Sequence, residues 1–308
     1  MNKIAIIGSG RVGEAAAWLI AQRGLCEELA LLEVVPGLAA GVALDIQQAA
    51  PLQGFHTRVS GGQQPGILHD SEIVIITAGV SRRPGMARFD LQAMNVQIIE
   101  TVLLQIREHA PQAMLLVVTN PADVITYHVW RRSALPRQRV IGFSCVLDSS
   151  RMAHFLAQAT GHEVSAVAAM VIGGHGDSMV PLVSQARVNG VPAGELLDSV
   201  QLEEVIRRTR QAGTEILNLK KTSTACIAPA AGIARVVEAV VRDRKETLPV
   251  ISVLDGEYGL RGMAIGVPCV IGGRGIEGVV QLDLAGDEQR QFLESAERMR
   301  EDIGKLPL

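Results

Sequence analysis

The sequence predicts an α/β chain: a doubly wound parallel sheet in residues 1–143, then a mixed α+β domain in residues 144–308. Three observations predict it. Short β-branched runs alternate with longer helical segments through the first half, the rhythm of βαβ units. Two of those runs, at 73–76 and 115–118, are apolar without interruption, as strands covered on both faces must be. After Gly142 the rhythm changes to long helices separated by isolated strands.

In order, strands are predicted at 3–7, 29–33, 55–59, 73–77, 114–119 and 140–142. Helices are predicted at 12–22, 37–49, 90–108 and 122–132, the last entered through Pro121 at a favoured first-turn position. The second half predicts a helix at 149–159, one long apolar strand at 164–173 and helices at 202–217 and 228–242. Strands at 249–254 and 267–271 and a charged closing helix at 288–301 complete it. No Gly/Ser/Pro linker separates the halves, so a tight interface is expected, with the site in a cleft along it.

The net charge of -3 offers no basic field for nucleic acid or an anionic membrane, and neither partner is expected. The apolar runs fall short of the ~20 residues a membrane-spanning helix needs. The first strand-like run begins at the fourth residue, Ile4, so no signal peptide is expected, and the four scattered cysteines read as reduced thiols. A cytoplasmic protein is expected. The seven histidines form no H-x-x-x-H or acid cluster, so no metal is expected.

Gly8-Ser9-Gly10-Arg11-Val12-Gly13 follows the first strand and opens the first helix. In that context the glycines permit a tight turn, close approach of a pyrophosphate and close helix–strand packing, with the anion on the helix N-terminus. This is the dinucleotide-binding signature of a Rossmann sheet. Glu33 ends the second strand 20 residues beyond Gly13, where an acid can bond the adenosine ribose hydroxyls. The same charge repels a 2′-phosphate, so the expected cofactor is NAD rather than NADP.

The chemical residues lie further on. Gly173-Gly174-His175-Gly176-Asp177 places a histidine between glycines after an apolar run, which leaves its ring open to a ligand. A ketone reduced by hydride needs a proton, and histidine is the side chain whose ordinary pKa lies nearest neutrality. A carboxylate behind the ring would fix its tautomer, and Asp148, at the start of the helix near 149, is the candidate. Read alone, Asp148 is also an adequate N-cap. Arg151, one turn on, suits either a surface salt bridge or a bidentate grip on a substrate carboxylate. Segment 78–88 carries Arg82, Arg83 and Arg88 with two glycines, a composition suited to a loop closing over an anion.

These motifs carry a family resemblance. GSGRVG at 8–13, ITAGVSRRPGMARFDL at 76–91, VTNPADV at 118–124, LDSSR at 147–151, GGHGDSMVPL at 173–182 and KTSTACIAPA at 221–230 resemble the lactate/malate dehydrogenase family. The resemblance runs from Lys3 through the last helix and is closest to the lactate dehydrogenase-like malate branch. It implies a substrate pair of malate and oxaloacetate, with His175 as the proton acceptor in malate oxidation and Asp148 as its partner. It further implies that Arg151 grips the carboxylate beside the reacting carbon, that Arg88 polarises the ketone oxygen and that Asn120 bonds that oxygen. Thr77, Ala78, Gly79, Asn95, Val118 and Asn120 would line the cofactor together with residues 8–13. Arg82 matches the position where the malate enzymes hold the second carboxylate and lactate enzymes carry a neutral glutamine. Glu33 replaces the more usual aspartate, and 221–226 is more hydroxylated than the malate enzymes' small-residue pattern.

A lactate or branched 2-hydroxyacid dehydrogenase would keep His175, Asp148, Arg88 and Arg151 and replace Arg82. A silent dinucleotide sensor would have lost His175, Asp148 or Arg151, and all three are present. Cys145 and Cys226 read as small buried hydrophobes. The helix at 37–49, apolar on one face, implies by resemblance a homodimer, or a homotetramer built from dimers.

Overall fold

The computed structural model describes residues 1–80 and 88–306, and for 88 and 89 the backbone alone. The first half runs β1 (Lys3–Ile7), α1 (Arg11–Gln22), β2 (Glu28–Leu32), α2 (Leu38–Gln53), β3 (Arg58–Gly62), β4 (Ile73–Ile76), α3 (Arg88–His109), β5 (Met114–Val117), α4 (Ala122–Ser133) and β6 (Val140–Gly142). These six strands are parallel, in the order β3-β2-β1-β4-β5-β6. Alternate residues of β1, β4 and β5 enter two different cores. Ile4, Ile6, Ile73, Ile75 and Leu116 join Ala16 and Ile20 of α1, while Ala5, Ile7, Val74, Ile76 and Leu115 join Ile99 of α3 and Val124 of α4. Helices therefore cover both faces, which is why the β4 and β5 sequences are apolar throughout.

The second half continues with α5 (Cys145–Thr160), β7 (Val167–Ala168), β8 (Val171–Gly173), β9 (Met179–Pro181), β10 (Arg187–Val188), β11 (Val191–Pro192) and α6 (Ala193–Leu196). It ends with α7 (Ser199–Lys220), α8 (Ile227–Val241), β12 (Glu246–Asp255), β13 (Arg261–Gly272), β14 (Gly275–Val279) and α9 (Gly286–Gly304). β12 and β13 form a long antiparallel hairpin, and β12 pairs with β6 through Ile251 and Gly142. One sheet of 11 strands thus crosses both halves among the described residues, with β8 and β9 at its far end.

Several boundaries differ from those expected, each for a local reason. The run at 164–173 is not one strand: it opens as a 3-10 turn at Val164–Ala166 and then breaks between β7 and β8. β7 pairs with β10 in a small sheet, whereas β8 pairs with β13 and β9 in the large one, so the break is where the chain changes sheets. The helix expected from 149 starts at Cys145, because the Asp148 N–H already bonds the Ser144 carbonyl. Asp148 is therefore inside the first turn, not its cap. The strand expected at 55–59 lies at Arg58–Gly62, since Phe55 is spent in an edge-to-face contact with Trp18, centroids 6.0 Å apart. α2 runs past 49, through Pro51, and stops at Gly54, whose φ of 72° suits a helix end. Pro121 is the N-cap of α4 rather than its first residue.

Candidate active site

β1 lies between β2 and β4, so the chain's connections leave it in opposite directions and open a crevice at the carboxyl ends of the strands. Gly8 leaves β1 with a φ of 101°, and a Cβ there would stand 2.7 Å from the Ala78 nitrogen. At Gly13 a Cβ would come within 1.9 Å of the Gly8 carbonyl oxygen. Both positions exclude a side chain, so α1 can press its first turn against the end of β1. Gly10 meets nothing within 4 Å and is exposed. It is also the N-cap of α1 and supplies no side-chain bond to the first-turn amides. Those unsatisfied N–H groups, with Arg11 and Val12 opening the turn, face the crevice as an anion site does.

Glu33 stands just beyond β2, where the ribose partner was expected. Its Oε2 accepts the Ser9 N–H at 2.8 Å and its Oε1 accepts the Val34 and Val35 amides at 2.8 and 3.2 Å. The carboxylate is thereby locked against the glycine turn, and the longer glutamate side chain still delivers its charge there. Val34 is 81% exposed beside it, and the buried Ser9 hydroxyl has no partner. An uncapped helix start, an open glycine, an orphaned hydroxyl and an anchored acid fit the diphosphate and ribose diol of a dinucleotide.

The second wall is braced by hydroxyl and amide side chains. Thr77 Oγ1 donates to the Gly8 carbonyl at 2.7 Å, and Thr119 Oγ1 donates to the Ala78 carbonyl at 2.7 Å. Asn95, fully buried on α3, accepts the Val80 N–H at 2.8 Å and donates to the Asn120 carbonyl at 2.7 Å. Asn95 thus ties the Ala78–Gly79–Val80 turn to the end of β5 rather than presenting its amide to the crevice. Val118 is half-buried and Asn120 exposed at that end. Two cavities, of about 520 and 260 Å³, lie away from these groups, and neither is lined by His175, Asp148 or Gly10. The first opens beside Arg23 and Thr57, at the opposite edge of the sheet.

His175 follows β8 and is brought to α5 across 27 residues of chain. Its Nδ1 lies 2.8 Å from Asp148 Oδ2, and Asp148 is completely buried. An ionised carboxylate only accepts, so Nδ1 carries the proton and donates, which leaves Nε2 for a ligand. Burial works against a charge on the ring, but the Asp148 charge and hydrogen bond and the Asp123 charge outweigh it, and the His175 pKa is raised despite Arg151. Arg151 Nη1 bonds the other Asp148 oxygen at 3.3 Å with 13% of its side chain exposed, so this is no surface pair. Its Nε is buried without a partner, a donor available to a substrate carboxylate. The loop is anchored by Gly174 N–H to Ser295 Oγ on α9, at 2.8 Å.

Asp123 joins this cluster without having been anticipated. The VTNPADV motif drew attention to Asn120, and an acid in a helix's first turn reads as an ordinary macrodipole partner. Instead its Oδ2 accepts the His175 N–H at 2.9 Å. Arg82, and the side chain of Arg88, lie outside the described residues. Ala225 and Cys226 are half-buried at the start of α8. Burial pushes the Cys145 thiol well above its ordinary value, against a thiolate role. Among the described residues no group of three or more His, Cys, Asp or Glu could hold a metal.

The family model for the lactate/malate dehydrogenase NAD binding domain matches residues 2–142, and that for the family's alpha/beta C-terminal domain matches residues 145–306. A curated malate dehydrogenase of Thioalkalivibrio sulfidiphilus is 51% identical over 99% of this chain and 100% of its own length. The solved structure of the Salinibacter ruber malate dehydrogenase superimposes with a TM-score of 0.94 at 38% identity, covering 98% of this chain and 96% of its own. A Cryptosporidium parvum lactate dehydrogenase, solved with lactic acid and NAD, matches with a TM-score of 0.95 at 36% identity over 99% of both chains. Proteins named malate dehydrogenase and lactate dehydrogenase thus share this fold. With both family models matched across nearly its whole length, this chain belongs to the lactate/malate dehydrogenase family.

Proposed function

We propose that this protein is an NAD-dependent malate dehydrogenase that interconverts (S)-malate and oxaloacetate, with His175 exchanging the proton. The observation that carries the chemistry is the His175–Asp148 bond with Arg151 on the same carboxylate. Full-length identities of 40–51% to proteins named malate dehydrogenase support the substrate. Bound NAD supplies the acceptor for the hydride that leaves C2 of malate. Residues 8–13, Glu33, Thr77, Ala78, Gly79, Val118 and Asn120 form its site in this reading, with Asn95 contributing by bracing the turn behind them. As C2 becomes a carbonyl, the hydroxyl O–H bond breaks and its proton goes to His175 Nε2. Asp148 holds the resulting imidazolium, and in the reverse direction the same proton returns to the ketone oxygen. Arg151 holds the carboxylate next to C2, Asn120 bonds the reacting oxygen and Arg88 polarises it. Arg82 reads the second carboxylate. Residues 1–143 serve as the NAD-binding domain and 144–308 as the substrate domain, supported by the change from parallel to antiparallel pairing after β6.

The test is NADH oxidation with oxaloacetate, pyruvate and a branched 2-keto acid in parallel, repeated with NADPH. Oxaloacetate is expected to lead in kcat/KM by at least about two orders of magnitude. NADPH is expected to be poor, because Glu33 opposes a 2′-phosphate. Equal rates with pyruvate would leave the chemistry standing and overturn the substrate. The crystal structure with lactic acid makes lactate oxidation the second reading.

The chain further reads as a homodimer or a dimer of dimers. Leu44 and Leu52, eight residues apart on α2, are 60% and 85% exposed, a face suited to a second copy. Sedimentation equilibrium is expected to give an even-numbered oligomer, and a monomer at micromolar concentration would refute it. All four cysteines are free, which supports a reducing compartment, the cytoplasm; cell fractionation checks this. Among the described residues no helix is long and apolar enough to cross a membrane.

A further inference from the structure

The imidazole of His175 is held from one side and its backbone from the other, by two different carboxylates. Asp148 takes the ring. Asp123, in the first turn of α4 and 2% exposed, takes the amide through Oδ2, while its Oδ1 is buried with no partner. A merely structural acceptor for one amide needs no charge, and a buried carboxylate with an unsatisfied oxygen is costly. Asparagine would accept the same N–H. The charged groups facing His175 among the described residues are Asp148 and Arg151 on α5 and Asp123 on α4, while α9 contributes the uncharged Ser295 and Met299 against Gly174. With Arg151 and both carboxylates ionised, an imidazolium makes the cluster neutral and a neutral ring leaves it at minus one. A buried cluster favours neutrality, so one proton is retained, on His175 or on Asp123. Burial, opposed by the His175 amide and charge, pushes Asp123 up to about 6, well into the range where that sharing operates.

We propose that Asp123 is a positioning residue for the proton-exchanging histidine: it ties down the His175 amide, and its negative charge makes the imidazolium the favoured form of the ring. The inference rests on His175 being the proton exchanger. Its consequence is directional. Oxaloacetate reduction needs the imidazolium and malate oxidation the neutral ring, so Asp123 extends reduction to higher pH and delays oxidation to higher pH.

Asp123→Asn keeps the acceptor and removes the charge; Asp123→Ala removes both. In the pH profile of kcat/KM for oxaloacetate, the descending limb reports loss of the His175 proton in the NADH complex. Asp123→Asn is expected to move that limb down by about one pH unit, a roughly tenfold loss of rate above the limb. The ascending limb of malate oxidation moves down with it, and the low-pH plateau of reduction changes less. Asp123→Ala adds a fall in the plateau, from a loosened His175. A limb that stays at its wild-type pH in a folded Asp123→Asn protein overturns the proposal. Should the variant not fold, the wild-type ring is titrated by NMR, its signal assigned by its loss in His175→Gln. The proposal requires the ring to titrate above the ordinary histidine value, and a ring that titrates at or below that value overturns it. Absence of turnover with any 2-keto acid would instead sink the dehydrogenase reading, and the ring titration separates the two failures.

Discussion

His175→Asn is expected to lower kcat in both directions by about a thousandfold or more, with NADH affinity nearly unchanged. Asparagine cannot exchange a proton near neutrality, so the alkoxide formed on hydride delivery has no donor and the malate hydroxyl no acceptor. The nucleotide wall is built from the ends of β1, β2, β4 and β5, and His175 follows β8. NADH binding followed by fluorescence should therefore survive, and a parallel loss of binding and rate would mean that the substitution unfolded the site. Asp148→Asn is expected to cost about a hundredfold in kcat by a different route. It withdraws the charge that offsets the burial of the imidazolium, and the amide can present a donor instead of an acceptor to Nδ1. It also leaves Arg151 largely buried beside a neutral group, so a stability loss of about 3–5 kcal/mol is expected, read from denaturant unfolding. Equal kcat in wild type and Asp148→Asn would remove Asp148 from the proton path.

What could be read from the sequence alone follows from how local each feature is. The glycine turn and Glu33 were legible because their geometry is set within a strand, a turn and the first turn of a helix. The doubly covered sheet was legible because uninterrupted apolar runs at β4 and β5 leave no face for solvent. The His175–Asp148 pair spans 27 residues, and no periodicity predicts it. It was found from the chemistry a ketone reduction requires and from the family motifs. The strands expected at 249–254 and 267–271 are shorter than β12 and β13, which hides their hairpin, and the join of β12 to β6 is not legible because pairing Gly142 with Ile251 depends on tertiary contacts that local composition does not encode. The break inside 164–173 was missed for a related reason: hydropathy records burial, and β7 and β8 are apolar in two different sheets. Asp123 was hidden by its position, since an acid in a first helical turn already has a sufficient local explanation, and only the approach of the His175 amide reveals its other use.

Arg82→Gln is expected to reverse the substrate preference, because on the proposed reading it exchanges the charged partner of the second carboxylate for a neutral one. On the role proposed for Arg82, pyruvate would leave its guanidinium without a partner, whereas the second carboxylate of oxaloacetate would supply one. A site built around such a pairing discriminates against the ligand that lacks its partner by up to about four orders of magnitude. In the variant the penalty moves to the other substrate: the oxaloacetate carboxylate now enters a closed site without a counter-charge, and the methyl of pyruvate meets no cation. The expected result is a fall of at least about a hundredfold in kcat/KM for oxaloacetate with a rise for pyruvate. In the same reading His175, Asp148 and Arg151 serve the reacting carbon and its neighbouring carboxylate, so the pH limbs of the remaining activity should stay in place, which separates lost recognition from damaged chemistry. If oxaloacetate keeps its lead in Arg82→Gln, the second carboxylate is read elsewhere. The hydroxylated Thr222–Cys226 segment before α8 then becomes the place to substitute next.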